Sequence, residues 1–125
     1  MQITLRVVIG LVGILFSGLA IGFWLNPAGS AYHLGISALN ALGVASLRAD
    51  LPGFFGAAGL FAVAAAFRND ARLLTAPLLL IAIALAGRLI TVVINGFEPP
   101  MAAPIAIEAA LVLAFLLGRQ TLAVR

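Results

Sequence analysis

Four stretches of this chain are long and apolar enough to cross a lipid bilayer, and no other feature constrains its fold as strongly. A hydrocarbon layer ~30 Å thick needs about 20 apolar residues, each adding 1.5 Å of helical rise. Apolar runs of that order, interrupted by charge only at Arg88 and Glu108, extend over Val7–Leu25, Leu51–Phe67, Leu73–Ile94 and Met101–Gly118. The second has 17 residues and sits at the lower limit for a span. A water-soluble domain could not bury all four, because only 9% of the chain is charged, against about 25% in an ordinary globular surface and core together. The sequence therefore predicts an all-α integral membrane four-helix bundle, a single transmembrane domain over residues 1–125. The first run follows Arg6 as a secretory signal would, but a signal's apolar region is only about 7–15 residues long. It is expected to be a retained span.

Residues 26–50 do not fit this pattern. Leu34–Leu47 is mostly apolar but interrupted by Ser37, Asn40 and Ser46, and its length is that of an interfacial or re-entrant segment. Its large side chains spread around a helical wheel instead of forming one stripe. A short helix or re-entrant segment in the first outer loop is expected there.

The arginines orient the bundle. With four spans, Arg6, Arg68, Arg72, Arg119 and Arg125 fall on one side and Arg48 on the other, so the positive-inside rule predicts cytoplasmic N and C termini. A fifth span over Leu34–Leu47 would spoil that asymmetry. The same arginines account for a net charge of +3. No basic run or aromatic–basic interleaving suggests a nucleic-acid partner. Arg without Lys, in an Ala-rich chain, matches a GC-rich bacterial genome and thus the bacterial inner membrane. Arg68–Arg72 and Asn95–Pro100 are connections short enough to force antiparallel neighbours. Asn69 or Asp70 can cap the third span, Asn95-Gly96 can end it, and Pro99-Pro100 can lead into the fourth.

Small residues mark the packing faces. Gly10, Gly13 and Ser17 share one face of the first span, Gly18 and Gly22 form a GxxxG on another, and Gly53, Gly56, Ala57 and Gly59 recur in the second. Such faces let helix backbones approach closely in lipid. They serve either a tightly packed monomer or a partner helix, from another membrane protein or a second copy.

Arg88 and Glu108 are the only ionisable residues well inside the spans, and each alone would cost at least ~2.5 kcal/mol at a helix centre. Arg88 lies six residues before Ile94 and Glu108 seven after Met101, so both sit roughly 10 Å below the outer surface on adjacent helices. A direct contact is expected, with room for two parallel bonds between guanidinium and carboxylate. Ala84, Arg88, Thr91 and Asn95 share one helix face, continuing the polarity outward. Tyr32, His33, Arg48, Asp50 and Glu98 in the outer loops would add a polar cluster, making the outer half the candidate site. Either the pair only pins two helices in register, or Arg88 holds an anionic head group or carbonyl oriented by Glu108.

Catalysis finds little footing. His33 is the sole imidazole, and nothing selects Ser17, Ser30, Ser37 or Ser46 as a nucleophile. With no Cys and no ligand spacing around His33, neither a metal nor another cofactor is expected. Trp24 reads as an interfacial anchor. GFFGAAG at 53–59 lies in an apolar span, where a phosphate would not bind.

Residues 47–117 resemble the DoxX-like group of small four-span bacterial membrane proteins. The resemblance rests on Leu47-Arg48-Ala49 leading into Gly53 and Gly56, on Gly87-Arg88, on Asn95-Gly96, and on a mid-span Glu108. It implies a four-helix bundle with Arg48, Arg88 and Glu108 at the family's polar positions. It does not assign an activity, since relatives include accessory subunits of membrane oxidoreductases and chaperones of other membrane proteins. Two functions follow as expectations. One is a non-catalytic accessory or scaffold subunit packed against a larger membrane protein. The other is a binding protein or carrier for a lipid, quinone or small amphiphile seated near Arg88.

The predicted orientation is directly testable. Cysteines introduced at Asn69 and Arg119 should be shielded from a membrane-impermeant thiol reagent in intact cells, whereas cysteines at Ser30 and Glu98 should react. Reaction at position 69 would reverse the topology.

Overall fold

The computed structural model describes residues 1–124; Arg125, counted above with the arginines of one side, lies outside the described residues. Five helices follow in order: α1 (Gln2–Leu25), α2 (Pro27–Tyr32), α3 (Ala41–Arg68), α4 (Thr75–Asn95) and α5 (Ala102–Thr121). Single 3₁₀ turns over Ala71–Leu74 and Pro99–Met101 lead into α4 and α5. Among the described residues every regular element is helical, and four segments are long and apolar enough to cross a membrane: Gln2–Leu25, Ala41–Arg68, Ala71–Asn95 and Pro99–Thr121.

Polar residues set the boundaries. Asn26 takes the C-cap of α1, its N–H bonding Gly22 O at 2.8 Å, while its side chain accepts the Gly29 N–H at 3.1 Å and caps α2. Asn40 caps α3 through the Gly43 N–H at 3.0 Å. At the other end of α3, Asn69 turns left-handed at φ 51°, and Asp70 accepts the Arg72 N–H at 3.0 Å to start the next turn. Gly96, at φ 88°, ends α4 in a conformation that a Cβ disfavours.

Two boundaries differ from those expected. The connection between α1 and α3 holds a short helix over Pro27–Tyr32, and Leu34–Leu47 is not an element of its own. Its second half is the first two turns of α3, which runs unbroken for 28 residues. Arg48 and Asp50 therefore sit on a spanning helix, not in a loop. The charges at 48 and 50 interrupt the apolar run, and Pro52 imitates a helix start, so the span looked shorter than it is. At about 42 Å α3 exceeds the hydrocarbon. Its first turns belong at head-group level, where Arg48 and Asp50 are tolerated. Likewise α1 begins at Gln2 and includes Arg6.

The strongest packing is the antiparallel α1–α3 pair. A Cβ on Gly13 would lie 2.7 Å from Gly59 O, and one on Gly59 would lie 2.8 Å from Gly13 O, so the two backbones touch where only glycine fits. On either side of this crossing, Gly10 faces Ala66 and Gly56 faces Ala20. Phe16, Phe23 and Phe55 fill the adjoining space, with Phe55 edge-on to Phe16 at 5.4 Å and stacked on Phe23 at 5.9 Å. The second glycine face is not used in the same way. Gly22 meets Ser30 of α2, whereas Gly18 and Gly53 face open space.

Arginine–carbonyl bonds close both ends of this pair. Arg6 Nε and Nη2 donate to Ala66 O at 2.8 Å and Phe67 O at 3.3 Å, capping the last turn of α3. Arg48 Nε donates to Trp24 O at 3.2 Å, capping the last turn of α1. In return the Trp24 indole N–H donates to Arg48 O at 3.1 Å. That carbonyl is four residues before Pro52, which has no N–H to offer it. The indole thus supplies the donor that the proline removes.

The α4–α5 hairpin leans on this pair at one end. The buried residues of α4 are Pro77, Leu78 and Ile81, and those of α5 are Phe115 and Gly118, all in the half nearest the chain termini. There Gly118 admits the tips of Ile9 and Leu74. The C-terminal segment is stitched to the same end by Ala71 N–H to Ala123 O at 2.7 Å, with Leu122 buried beneath.

The proline–indole exchange predicts a double-mutant cycle. Trp24→Phe should cost about 0.5–1 kcal/mol in detergent thermal unfolding by stranding Arg48 O. In a Pro52→Ala background, where residue 52 regains its own N–H, the same substitution should cost measurably less. Equal costs in the two backgrounds would show that the indole does not replace the missing bond.

Candidate functional site

Arg88 and Glu108 come from the uncovered half of the hairpin. Each is about two turns from the connection at Gly96–Met101, so a guanidinium on α4 and a carboxylate on α5 arrive at equal depth. They meet: Arg88 Nε donates to Glu108 Oε1 at 2.8 Å, the only salt bridge among the described residues. The expected pair of parallel bonds is absent. The contact uses Nε alone, and Glu108 Oε2 is buried without a hydrogen-bond partner. The two side chains are unequally covered, with Glu108 13% exposed and Arg88 39% exposed. Arg88 Nη1 and Nη2 make no hydrogen bond within the described residues, so the site presents donors outward and keeps its acceptor inside.

The polar stripe on α4 is partly retained. Thr91 lies beside Arg88, but its hydroxyl donates to Gly87 O at 3.0 Å, one turn back. Arg88, Thr91, Met101 and Ile105 line a small cavity of about 110 Å³. Asn95, at the end of α4, is exposed and outside this cavity.

No hydrogen bond or ion pair among the described residues joins Tyr32, His33, Arg48, Asp50 and Glu98 to one another. Tyr32 and His33 are exposed and contact each other edge to face at 5.9 Å. Arg48 is engaged with the end of α1, and Asp50 and Glu98 are exposed, with no ion pair to any described residue. The expectation placed Arg48 and Asp50 in an outer loop. On α3 they instead belong to the α1–α3 pair, whereas Glu98 follows α4.

The sequence reading missed the carbonyl-capping roles of Arg6 and Arg48. It also missed the Trp24–Arg48 carbonyl bond, whose signal was present in Pro52, since the carbonyl it orphans is fixed by the i−4 rule, and in Trp24, an N–H donor at the matching end of α1. Gly118 was also missed as a packing residue, since one glycine in an apolar span carries no pattern.

No protein-family model, curated protein or solved structure matches this chain. The chemistry of the pair therefore has to be argued from its geometry. A single charge-assisted bond at membrane depth, with one free carboxylate oxygen and an outward guanidinium, can fix the α4–α5 register. It can also offer hydrogen bonds to a carbonyl or anionic oxygen on a neighbouring molecule.

The coupling between the two charges is measurable. Arg88→Met or Glu108→Leu alone leaves one charge in a low-dielectric environment, a change that typically costs about 3–5 kcal/mol for a buried pair. The double variant removes both desolvation costs and should lose much less than the two single losses together. Strictly additive losses in thermal unfolding would mean that the bond carries no coupling energy.

Proposed function

We propose that this chain is a non-catalytic accessory or scaffold subunit of the bacterial inner membrane, packed through the far half of its α4–α5 hairpin against a larger membrane protein. The observation that carries this reading is the exposure of Arg88. Its guanidinium lies about 10 Å inside the helix end, on a hairpin whose buried residues are all in the opposite half. Facing hydrocarbon it would be costly, whereas backbone carbonyls or polar side chains of a neighbouring helix would satisfy its free N–H groups. The surrounding surface suits helix contact: Ala102, Ala103, Ala106, Ala109 and Ala110 of α5 and Ala86 and Gly87 of α4 are all exposed. Small residues permit close approach there. The cytoplasmic placement of both termini and kinship with the DoxX-like group belong to the same proposal, on the arginine distribution and on the residues quoted for the resemblance.

The carrier reading is less favoured by the size of the cavity beside the pair. At about 110 Å³ it falls well below the ~300–1,000 Å³ of sites that enclose a lipid-like or drug-sized ligand.

Photo-crosslinking in native membranes tests the proposal. A photoreactive residue at Ala106 or Ala110 should capture one membrane protein, stoichiometrically and from both positions, and one at Leu15 on α1 should not. Capture should fail in the Arg88→Met/Glu108→Leu double variant even though that variant remains folded. Capture of a second copy alone would replace the heterologous partner with a homo-oligomer. Capture of lipid alone, with native extraction yielding only monomer, would overturn the proposal.

A further inference from the structure

A separate feature lies at the opposite end, near the termini. Along the exposed face of α1, beside the last turn of α3, runs an apolar groove of about 320 Å³. Val7, Leu11 and Ile14 form its wall, Phe67 its rim, and Gly10 its floor. With no side chain at Gly10, the groove reaches down to Ala66. Arg6 stands in the groove near its terminal end. Two of its guanidinium nitrogens are fixed on α3 carbonyls, so the head group is held in place, and Nη1 has no hydrogen bond within the described residues.

We propose that this groove holds one acyl chain of an anionic phospholipid whose phosphate is bound by Arg6. Charge complementarity identifies the occupant. Arg68, Arg72 and Arg119 are exposed at the same end, and Asp70 is the one acidic residue among the described residues there. The rim is therefore cationic, while apart from Arg6 the groove is lined by apolar residues. A phosphodiester carrying acyl chains matches that sequence of chemistries from the surface inward. A guanidinium held by two carbonyls is oriented in advance, so binding a phosphate oxygen through Nη1 requires little further ordering. In turn, an anionic ligand beside Arg6 keeps the arginine at the end of α3, where it caps the helix. The site is independent of the Arg88 surface and of the accessory-subunit reading.

Native mass spectrometry of the detergent-solubilised chain, offered phosphatidylglycerol and phosphatidylcholine in equal amounts, tests this. One phosphatidylglycerol per chain should be retained, favoured roughly fivefold, the ratio given by one interfacial arginine. Gly10→Leu, which fills the floor, and Val7→Trp, which blocks the wall without touching the core, should each abolish the preference. Arg68→Gln/Arg72→Gln/Arg119→Gln should reduce the preference without abolishing it, whereas Arg6→Gln should abolish it in folded protein. Glycerophosphoglycerol, the head group without acyl chains, should give no thermal stabilisation. Equal retention of the two lipids by the unmodified chain would overturn the proposal. So would a preference that survives both groove variants in folded protein, or one lost when only the three rim arginines are removed.

Discussion

The contact on which the rest of this molecule depends is the crossing of α1 over α3 at Gly13 and Gly59. Inside a bilayer, helices gain nothing by hiding apolar surface from one another, because lipid is as apolar as leucine. What remains is close contact and hydrogen bonding. The glycine crossing supplies the first, bringing one backbone within van der Waals range of the other. The arginine–carbonyl bonds supply the second, and they do so only at the ends. Arg6 and Trp24 are separated by about 27 Å along α1, close to the thickness of the hydrocarbon. The two clamps therefore fall near the two membrane surfaces, where a guanidinium can reach water while its aliphatic stem stays among apolar groups.

With that pair fixed, the hairpin has one end to rest on. The chain returns from α3 to α4 through the six residues 69–74, so α4 must begin beside the last turn of α3. The C-terminal segment ties α5 to the same place through Ala71 and Leu122. Nothing comparable binds the far end, where the α4–α5 connection contains Gly96 and two prolines and contributes no buried residue. The Arg88–Glu108 bond lies in that half. It joins α4 to α5 but makes no bond to α1 or α3, which leaves the hairpin internally registered and externally open.

The four spans, their antiparallel order and the meeting of Arg88 with Glu108 were legible in the sequence because each follows from a length. Span, loop and depth are all counted in residues at a fixed rise. The start of α3 was not legible by that method. A helix that emerges from the bilayer carries charge on its emergent turns, and a search for uncharged runs stops at Asp50 instead of Asn40. For the same reason Arg48 and Asp50 were read as loop residues, whereas both lie on α3. Which glycines touch another helix was only half legible. Gly13 and Gly18 look alike in a glycine-rich span, and the difference between them is set by the rotation of α1 that places Gly13 against Gly59.

Stability gives a weak reason for keeping a charged pair at membrane depth. A well-packed apolar replacement is often as stable or more so, and α1–α3 shows that this chain can join helices without an ion pair. The asymmetry of the pair is more informative than its presence. A charge pair serving only to pin a hairpin would be expected to satisfy both carboxylate oxygens and to turn the guanidinium inward. Here one oxygen is orphaned and the guanidinium is over a third exposed. An arrangement that leaves donors facing out of a folded hairpin is incomplete as a fold device and complete as half of a contact. That is why the accessory-subunit reading places the missing half on another molecule.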